Sequence, residues 1–151
     1  MPYVEQSIDI ASPVEAVFGL IAHQPERMAE WWPPIELQER VTPPPTSIGS
    51  ISRYVYNMLN VSIRGEHEVT DMTENRRIVV KTISGIDSQF DFTFEPTSSG
   101  TRLTIRVAYS LPGSVIGQLM NRAYIEDRNI QDLQEGLANL KLIMEREVHT
   151  G

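Results

Sequence analysis

The chain has 151 residues, of which 40 % are hydrophobic and 22 % charged, and a net charge of −7 at pH 7. A chain of this length buries about 70 % of its unfolded surface, so we predict a single domain over residues 1–151. The absence of cysteine excludes disulfides and thiolate sites, and the acidic charge argues against a nucleic-acid partner. No apolar run is long enough for membrane insertion and the N-terminus does not resemble a signal peptide, so we expect a cytoplasmic protein.

The chain opens with a strand and two short helices. Apolar and polar residues alternate over 3–10, which predicts a half-buried strand. Ser12 is predicted as the N-cap of a helix over 14–21, and Glu15 completes a capping box with it. A second short helix is predicted from Pro25 to Trp32.

Six further segments with a period of two predict strands. Each has one apolar face, as in the run where Phe90, Phe92 and Phe94 share a side, so we predict an antiparallel sheet covered on one face only. The predicted strands are Ile35–Val41, Ile51–Leu59, Val61–Met72, Arg77–Ile83, Ser88–Phe94 and Thr101–Tyr109.

The chain closes with a long amphipathic helix, predicted from Ser114 to about Glu147. At about 1.5 Å per residue it would be about 50 Å long, which exceeds the width of a small domain. One end therefore projects or bends, and a projecting end could support a homodimer. Gly117 and Gly136 each weaken this helix by up to about 1 kcal/mol.

This order of elements predicts an α+β fold. A strongly curved antiparallel sheet of six to seven strands would wrap around the long C-terminal helix, with the two short helices closing one end. The inner face would be apolar and aromatic. Space left between the sheet and the helix would form a cavity of the kind that binds small apolar molecules.

Several segments also carry a resemblance to a known family. They are Ile8–Phe18, Trp31–Pro33, Gly65–Asp71, Phe92–Pro96, Gly100–Ile105 and Leu133–Lys141. In their order and spacing the chain resembles the helix-grip, START-like superfamily, also called SRPBCC, and within it the polyketide cyclase/dehydrase-like proteins. The resemblance implies the helix-grip fold. It implies no catalytic residue, because the family includes cyclases, dehydratases, lipid carriers and hormone receptors without a shared catalytic motif.

Twelve residues are predicted to line the cavity. We expect one of the two adjacent tryptophans to be buried and the other to be partly exposed beside the cavity mouth. The predicted lining residues are Trp31, Trp32, Tyr54, Tyr56, Met58, His67, Phe90, Phe92, Tyr109, Met120, Tyr124 and Asp127.

His67 is the titratable residue with the clearest functional potential. By alternation it shares the inner face with Gly65 and Val69, so it is either a packed core histidine or a group that exchanges protons or hydrogen bonds with a ligand. His23 and His149 lie far from it in sequence, so we expect no metal and no cofactor. The nearby glutamates, by contrast, are expected to form a solvated charge ladder.

The apolar inner face favours binding of a small hydrophobic or aromatic ligand, as in a carrier protein. The alternative is a cyclase or dehydratase acting on a polyketide-like or aromatic substrate. That alternative requires His67 to meet Tyr54, Tyr56, Tyr109 or Asp127 inside the cavity. A third hypothesis, a protein-interaction module, requires an exposed apolar patch.

Overall fold

The computed structural model describes residues 3–58, 60–110 and 122–150, and the side chains of all of these except 58, 122–125 and 147–150. Seven strands form one curved antiparallel sheet in the order β1-β7-β6-β5-β4-β3-β2. The strands are β1 (Tyr3–Ile10), β2 (Ile35–Arg40), β3 (Ile51–Met58), β4 (Val61–Thr73), β5 (Arg77–Thr82), β6 (Asp87–Thr97) and β7 (Gly100–Ser110).

The helical segments lie after β1 and at the end of the chain. They are α1 (Val14–Phe18), a π-helical turn (Gly19–His23), a 3₁₀ turn (Pro25–Arg27), α2 (Met28–Trp31) and α3 (Arg122–Thr150). The predicted helix-grip architecture is confirmed. The predicted start of the last helix at Ser114 lies outside the described residues.

The core lies between the concave face of the sheet and α3. The helix packs against β1 and α2, and its apolar stripe is buried. Leu133, Leu137 and Leu140 from α3 belong to the same hydrophobic cluster as Phe94 and Ile105 from the sheet. The 3–4 spacing of the leucines therefore has the predicted effect: it turns one face of the helix toward the sheet.

The start of α1 differs from the prediction. The N-cap is Pro13 and no side chain caps the helix, so the expected capping box is wrong. Ser12 lies in the bend after β1: its N–H donates to the Ile10 carbonyl (2.9 Å), and its own carbonyl accepts from Thr101 Oγ1 (2.8 Å). These contacts hold Ser12 against the start of β7, one residue too early to serve the helix.

Gly136 lies where α3 contacts the end of α2. A Cβ atom at this position would lie 3.4 Å from the Trp31 carbonyl oxygen and 3.6 Å from Pro33 Cδ. One turn further on, Asn139 Nδ2 donates to the same Trp31 carbonyl at 3.2 Å. A Cβ at these distances would make ordinary van der Waals contacts, so α3 packs against the end of α2 without requiring a glycine there.

The outer face of the sheet is polar and carries ion pairs between neighbouring strands. Arg77 contacts Asp91 at 2.6 Å, and Arg53 contacts Glu66 at 3.8 Å. The second pair confirms the expected charge ladder on β3 and β4. Exposed pairs of this kind contribute at most about 1 kcal/mol each. None of the described helices has the length and apolarity that a membrane span requires.

We expect Leu140→Ala to lower the free energy of unfolding by about 2–5 kcal/mol, because Leu140 is fully buried between α3 and the sheet. Leu142→Ala, two residues along the same helix at a 59 % exposed position, should change it by less than about 0.5 kcal/mol. Urea denaturation measures both. Equal losses for the two variants would contradict the docking of α3 described above.

Candidate functional site

A cavity opens between the concave face of the sheet and the short helical segments. The space open to the centre of a water molecule is about 100 Å³, whereas one water needs only about 10–15 Å³. Most of the wall is apolar and comes from the helical turns and from the inward residues of the strands. The apolar and aromatic wall includes Leu20, Ile21, Trp31, Trp32, Ile35, Ile78, Val80, Phe90, Phe92 and Val107.

Aromatic rings form one continuous side of this wall. Trp31 meets Trp32 edge to face at 5.6 Å, Trp32 meets Phe90 at 5.6 Å, and Phe90 stacks on Phe92 at 6.2 Å. Trp31 is 2 % and Trp32 3 % exposed, so the expectation that one of them is partly exposed is wrong. The reason is that both rings contact each other and belong to the same buried hydrophobic cluster as Leu133 and Leu137 of α3.

Tyr54 is held in place by the backbone around the β5–β6 turn. Its hydroxyl donates to the Ser84 carbonyl at 2.9 Å and accepts from the Ile86 N–H at 3.2 Å. Burial raises the pKa of Tyr54, although the Ile86 N–H opposes the rise. The side chain reaches this position by crossing Gly65, its partner on β4, where a Cβ would lie 2.6 Å from the hydroxyl oxygen. A glycine inside a polar strand segment is the sequence signal for such a close approach.

His67 lies on the inner face of β4 and lines the cavity. Its ring stacks on Tyr54 at 5.6 Å with an angle of 18° between the planes. Burial lowers the pKa of His67 to about 4, so the imidazole is uncharged at neutral pH. A neutral imidazole offers one donor and one acceptor, which suits hydrogen bonding better than general-base catalysis near pH 7.

Polar side chains cross the concave face in one row, each opposite the next on the neighbouring strand. The sequence pattern does not predict which of these residues lie opposite each other, because that depends on the register between strands. In the order β2, β3, β4, β5, β6 and β7 the row is Arg40, Ser52, His67, Thr82, Ser88 and Tyr109, and all six line the cavity.

Tyr56 also lines the cavity, and further polar side chains lie near it. Burial raises the pKa of Tyr56 far above its usual value, the nearby Asp132 adds to the rise, and the Trp32 indole N–H opposes it. Asp132 is itself buried, and its pKa is raised by that burial although Arg128 lies 3.4 Å away. Sequence reasoning missed Asp132, whose signal was the Arg128–Asp132 spacing of four residues on a helix.

Asp127, the acidic residue predicted to line the cavity, does not do so: its side chain is exposed. Asn129 takes the cavity-facing position instead. Two residues along a helix are about 200° apart, so Asp127 points away from the space that Asn129 faces. Met58, Met120 and Tyr124 lie outside the described side chains, whereas the other eight predicted residues lie in the cavity wall.

The side chains whose placement is described form no group of three or more His, Asp or Glu residues that could hold a metal ion. The described wall can therefore bind a ligand by apolar contact, aromatic stacking and hydrogen bonds from uncharged groups. Arg40 is its one charged side chain.

The sequence pattern of the polyketide cyclase / dehydrase and lipid transport family matches residues 1–145. The chain belongs to this family. The match confirms the resemblance drawn from the sequence motifs. No curated protein shows significant sequence similarity to the chain.

Solved structures share the family fold. A protein of Thermus thermophilus superposes with a TM-score of 0.81 at 21 % identity, over 97 % of this chain and 99 % of that one. The Zhui aromatase/cyclase from Streptomyces sp. R1128 gives 0.76 at 16 % identity, over 97 % and 95 %. The major latex-like protein 151 from Panax ginseng gives 0.72 at 11 % identity, over 95 % and 97 %. At these identities the likeness establishes the fold.

We expect Gly65→Ala to destabilise the protein by about 1–3 kcal/mol, because the new Cβ would overlap the Ser84 carbonyl and the Tyr54 hydroxyl. Gly19→Ala is the matched control: nothing lies within 4 Å of a Cβ there, so stability should be unchanged or rise by up to about 1 kcal/mol. Chemical denaturation distinguishes the two. A Gly65→Ala protein as stable as the wild type would show that Tyr54 does not cross this position.

We expect the His67 ring to titrate near pH 4 in a proton NMR titration. Above pH 6.5 neither the folded nor the unfolded chain binds this proton, but between pH 6.5 and about 4 only the unfolded chain takes it up. The wild type should therefore lose up to about 3 kcal/mol relative to His67→Gln as the pH falls through this window. Titration near pH 6.5 would show that the ring is well hydrated.

Proposed function

We propose that the protein binds a small hydrophobic or aromatic molecule in the cavity between the concave face of the sheet and the short helical segments, as a carrier or binding protein does. The observation that supports this most is the wall itself, in which the aromatic run from Trp31 to Phe92 faces open space. Burying an apolar surface stabilises a complex by about 25 cal/mol per Å², so such a wall can bind a ligand without any charged contact.

The positions of the polar groups favour binding over cyclisation or dehydration. A general acid and a general base would each have to come within hydrogen-bond reach of neighbouring atoms of one substrate. The Tyr54 hydroxyl is already hydrogen-bonded to the backbone of Ser84 and Ile86, and Asp127 points away from the cavity. Tyr109 and His67 stand on β7 and β4, three strand spacings apart or about 14 Å along the sheet.

The test is a titration with 1-aminoanthracene, an uncharged dye that fluoresces in apolar surroundings. We expect the wild type to bind it and Val80→Phe to bind it at least tenfold more weakly, because Val80 lines the cavity and a larger ring would occupy the space. Ile83→Phe, just beyond the end of β5 at an exposed position, should bind the dye within twofold of the wild type.

A urea melt of each variant ensures that the comparison is made on folded protein. The proposed function would fail if the wild type does not enhance the fluorescence of the dye. It would fail equally if Val80→Phe and Ile83→Phe bind the dye alike.

A further inference from the structure

The loop between β2 and β3, residues 41–50, carries no charge, and the uncharged run continues to residue 52. Charged residues make up 22 % of the whole chain, so a surface loop without any stands out. Its apolar side chains face solvent: Ile48 is 62 % and Val41 43 % exposed, and the three prolines at 43–45 are exposed as well. An exposed apolar group of this kind marks a contact surface.

Ile48 lies at the tip of a tight turn. The Ser50 N–H donates to the Ser47 carbonyl at 3.0 Å, and Gly49 has a φ of 95°. A positive φ at the third position of a turn favours glycine, and the second position, which Ile48 occupies, usually holds proline or a polar residue. The preference for turn residues is thus broken at the most exposed side chain, which is typical of a functional surface.

Most backbone N–H groups of the loop need no hydrogen bond from water. The prolines at 43–45 have no N–H. The Gly49 N–H donates to the Val69 carbonyl at 2.8 Å, and four further N–H groups donate within the loop or to the first residue of β3. Those four belong to Val41, Thr42, Ser47 and Ser50. Because an unpaired N–H group is costly in lipid, this bonding allows the loop to enter a lipid surface.

The same loop forms part of the cavity wall on its inner side, through Thr42, Thr46 and Ser50. Arg40 joins it to the helical segments, because its guanidinium donates to Thr46 Oγ1 at 3.2 Å and to the His23 carbonyl. Gln24, the next residue, is the one exposed member of the described cavity wall. The cavity therefore reaches the protein surface beside this loop.

The charges near the loop favour an uncharged surface as its partner. Arg40 and Arg53 flank the uncharged run, and each is already paired with a carboxylate, Glu26 at 3.0 Å and Glu39 at 3.2 Å. The whole chain has a net charge of −7. Anionic lipids are attracted by clusters of unpaired lysine and arginine, and they would repel an acidic protein.

We propose that the β2–β3 loop docks the protein on an uncharged lipid surface, with Ile48 and the neighbouring prolines placed among the lipid head groups. The protein would lie on the membrane through this loop without spanning it. Docking in this way brings the opening of the cavity against the bilayer, from which an apolar molecule could enter. The inference stands apart from the proposed function, because the exposure and backbone bonding of the loop do not depend on what the cavity binds.

The test is flotation of the protein with phosphatidylcholine vesicles in a density gradient. We expect the wild type to float with the vesicles and Ile48→Asp to show a bound fraction at least fivefold lower, because a charge replaces the apolar tip. Ile83→Asp is the matched control: Ile83 is 55 % exposed and follows β5 at the opposite end of the sheet. Its bound fraction should stay within twofold of the wild type.

Lipid charge and salt distinguish apolar docking from electrostatic binding. An equal mixture of phosphatidylcholine and phosphatidylserine should bind the wild type at least twofold more weakly at low salt. Raising the salt concentration should leave binding to pure phosphatidylcholine within twofold, because apolar contact is not screened. Tightest binding to the phosphatidylserine mixture, lost at high salt, would overturn the inference.

Absence of the wild type from the phosphatidylcholine fraction, or equal flotation of Ile48→Asp and the wild type, would also overturn it. If the wild type stays off the vesicles and forms a dimer that Ile48→Asp dissociates, the loop is a contact between two copies and not a lipid contact. Urea melts establish that each variant is folded, and Ile48→Thr, which keeps the branched shape, replaces Ile48→Asp if that variant is not. The dye titration decides the proposed function separately.

Discussion

The close approach of α3 to the end of α2 is the contact on which the cavity depends. Gly136 brings the helix backbone against the Trp31 carbonyl, and Asn139 binds the same oxygen. With α3 held there, its leucines are buried against the sheet and both tryptophans are covered. The Trp32 ring also lies 3.6 Å from the place of a Cβ at residue 136, so α3 is in contact with the aromatic wall.

The cavity also depends on side chains that are prevented from filling it. Tyr54 lies flat across Gly65 because its hydroxyl is bound at the β5–β6 turn, and the His67 ring stacks on it. Both rings therefore lie along the wall of the cavity. Interiors without such restraints pack to a density that leaves few voids larger than a water molecule. The space left by Gly65 thus allows the Tyr54 ring to lie along the wall, so that the cavity stays open.

Apolar and polar parts of the wall have separate roles in the function we propose. The aromatic run supplies contact area, which is the main source of affinity for an uncharged ligand. The polar row from Arg40 to Tyr109 supplies hydrogen-bonding groups to the same wall. Family membership and fold do not specify a ligand, since one fold supports many functions.

The sequence by itself determined the secondary structure, the curved sheet with its terminal helix, and the inward position of Tyr54, His67 and the phenylalanines, because hydrophobic periodicity is a local property of the chain. Tertiary structure alone decided the rest. The polar row depends on the register between strands. Whether Asp127 or Asn129 faces the cavity depends on the rotation of α3 about its axis. The Ser12 carbonyl accepts a hydrogen bond from Thr101, eighty-nine residues away. Such contacts join residues distant in sequence, so no local pattern encodes them.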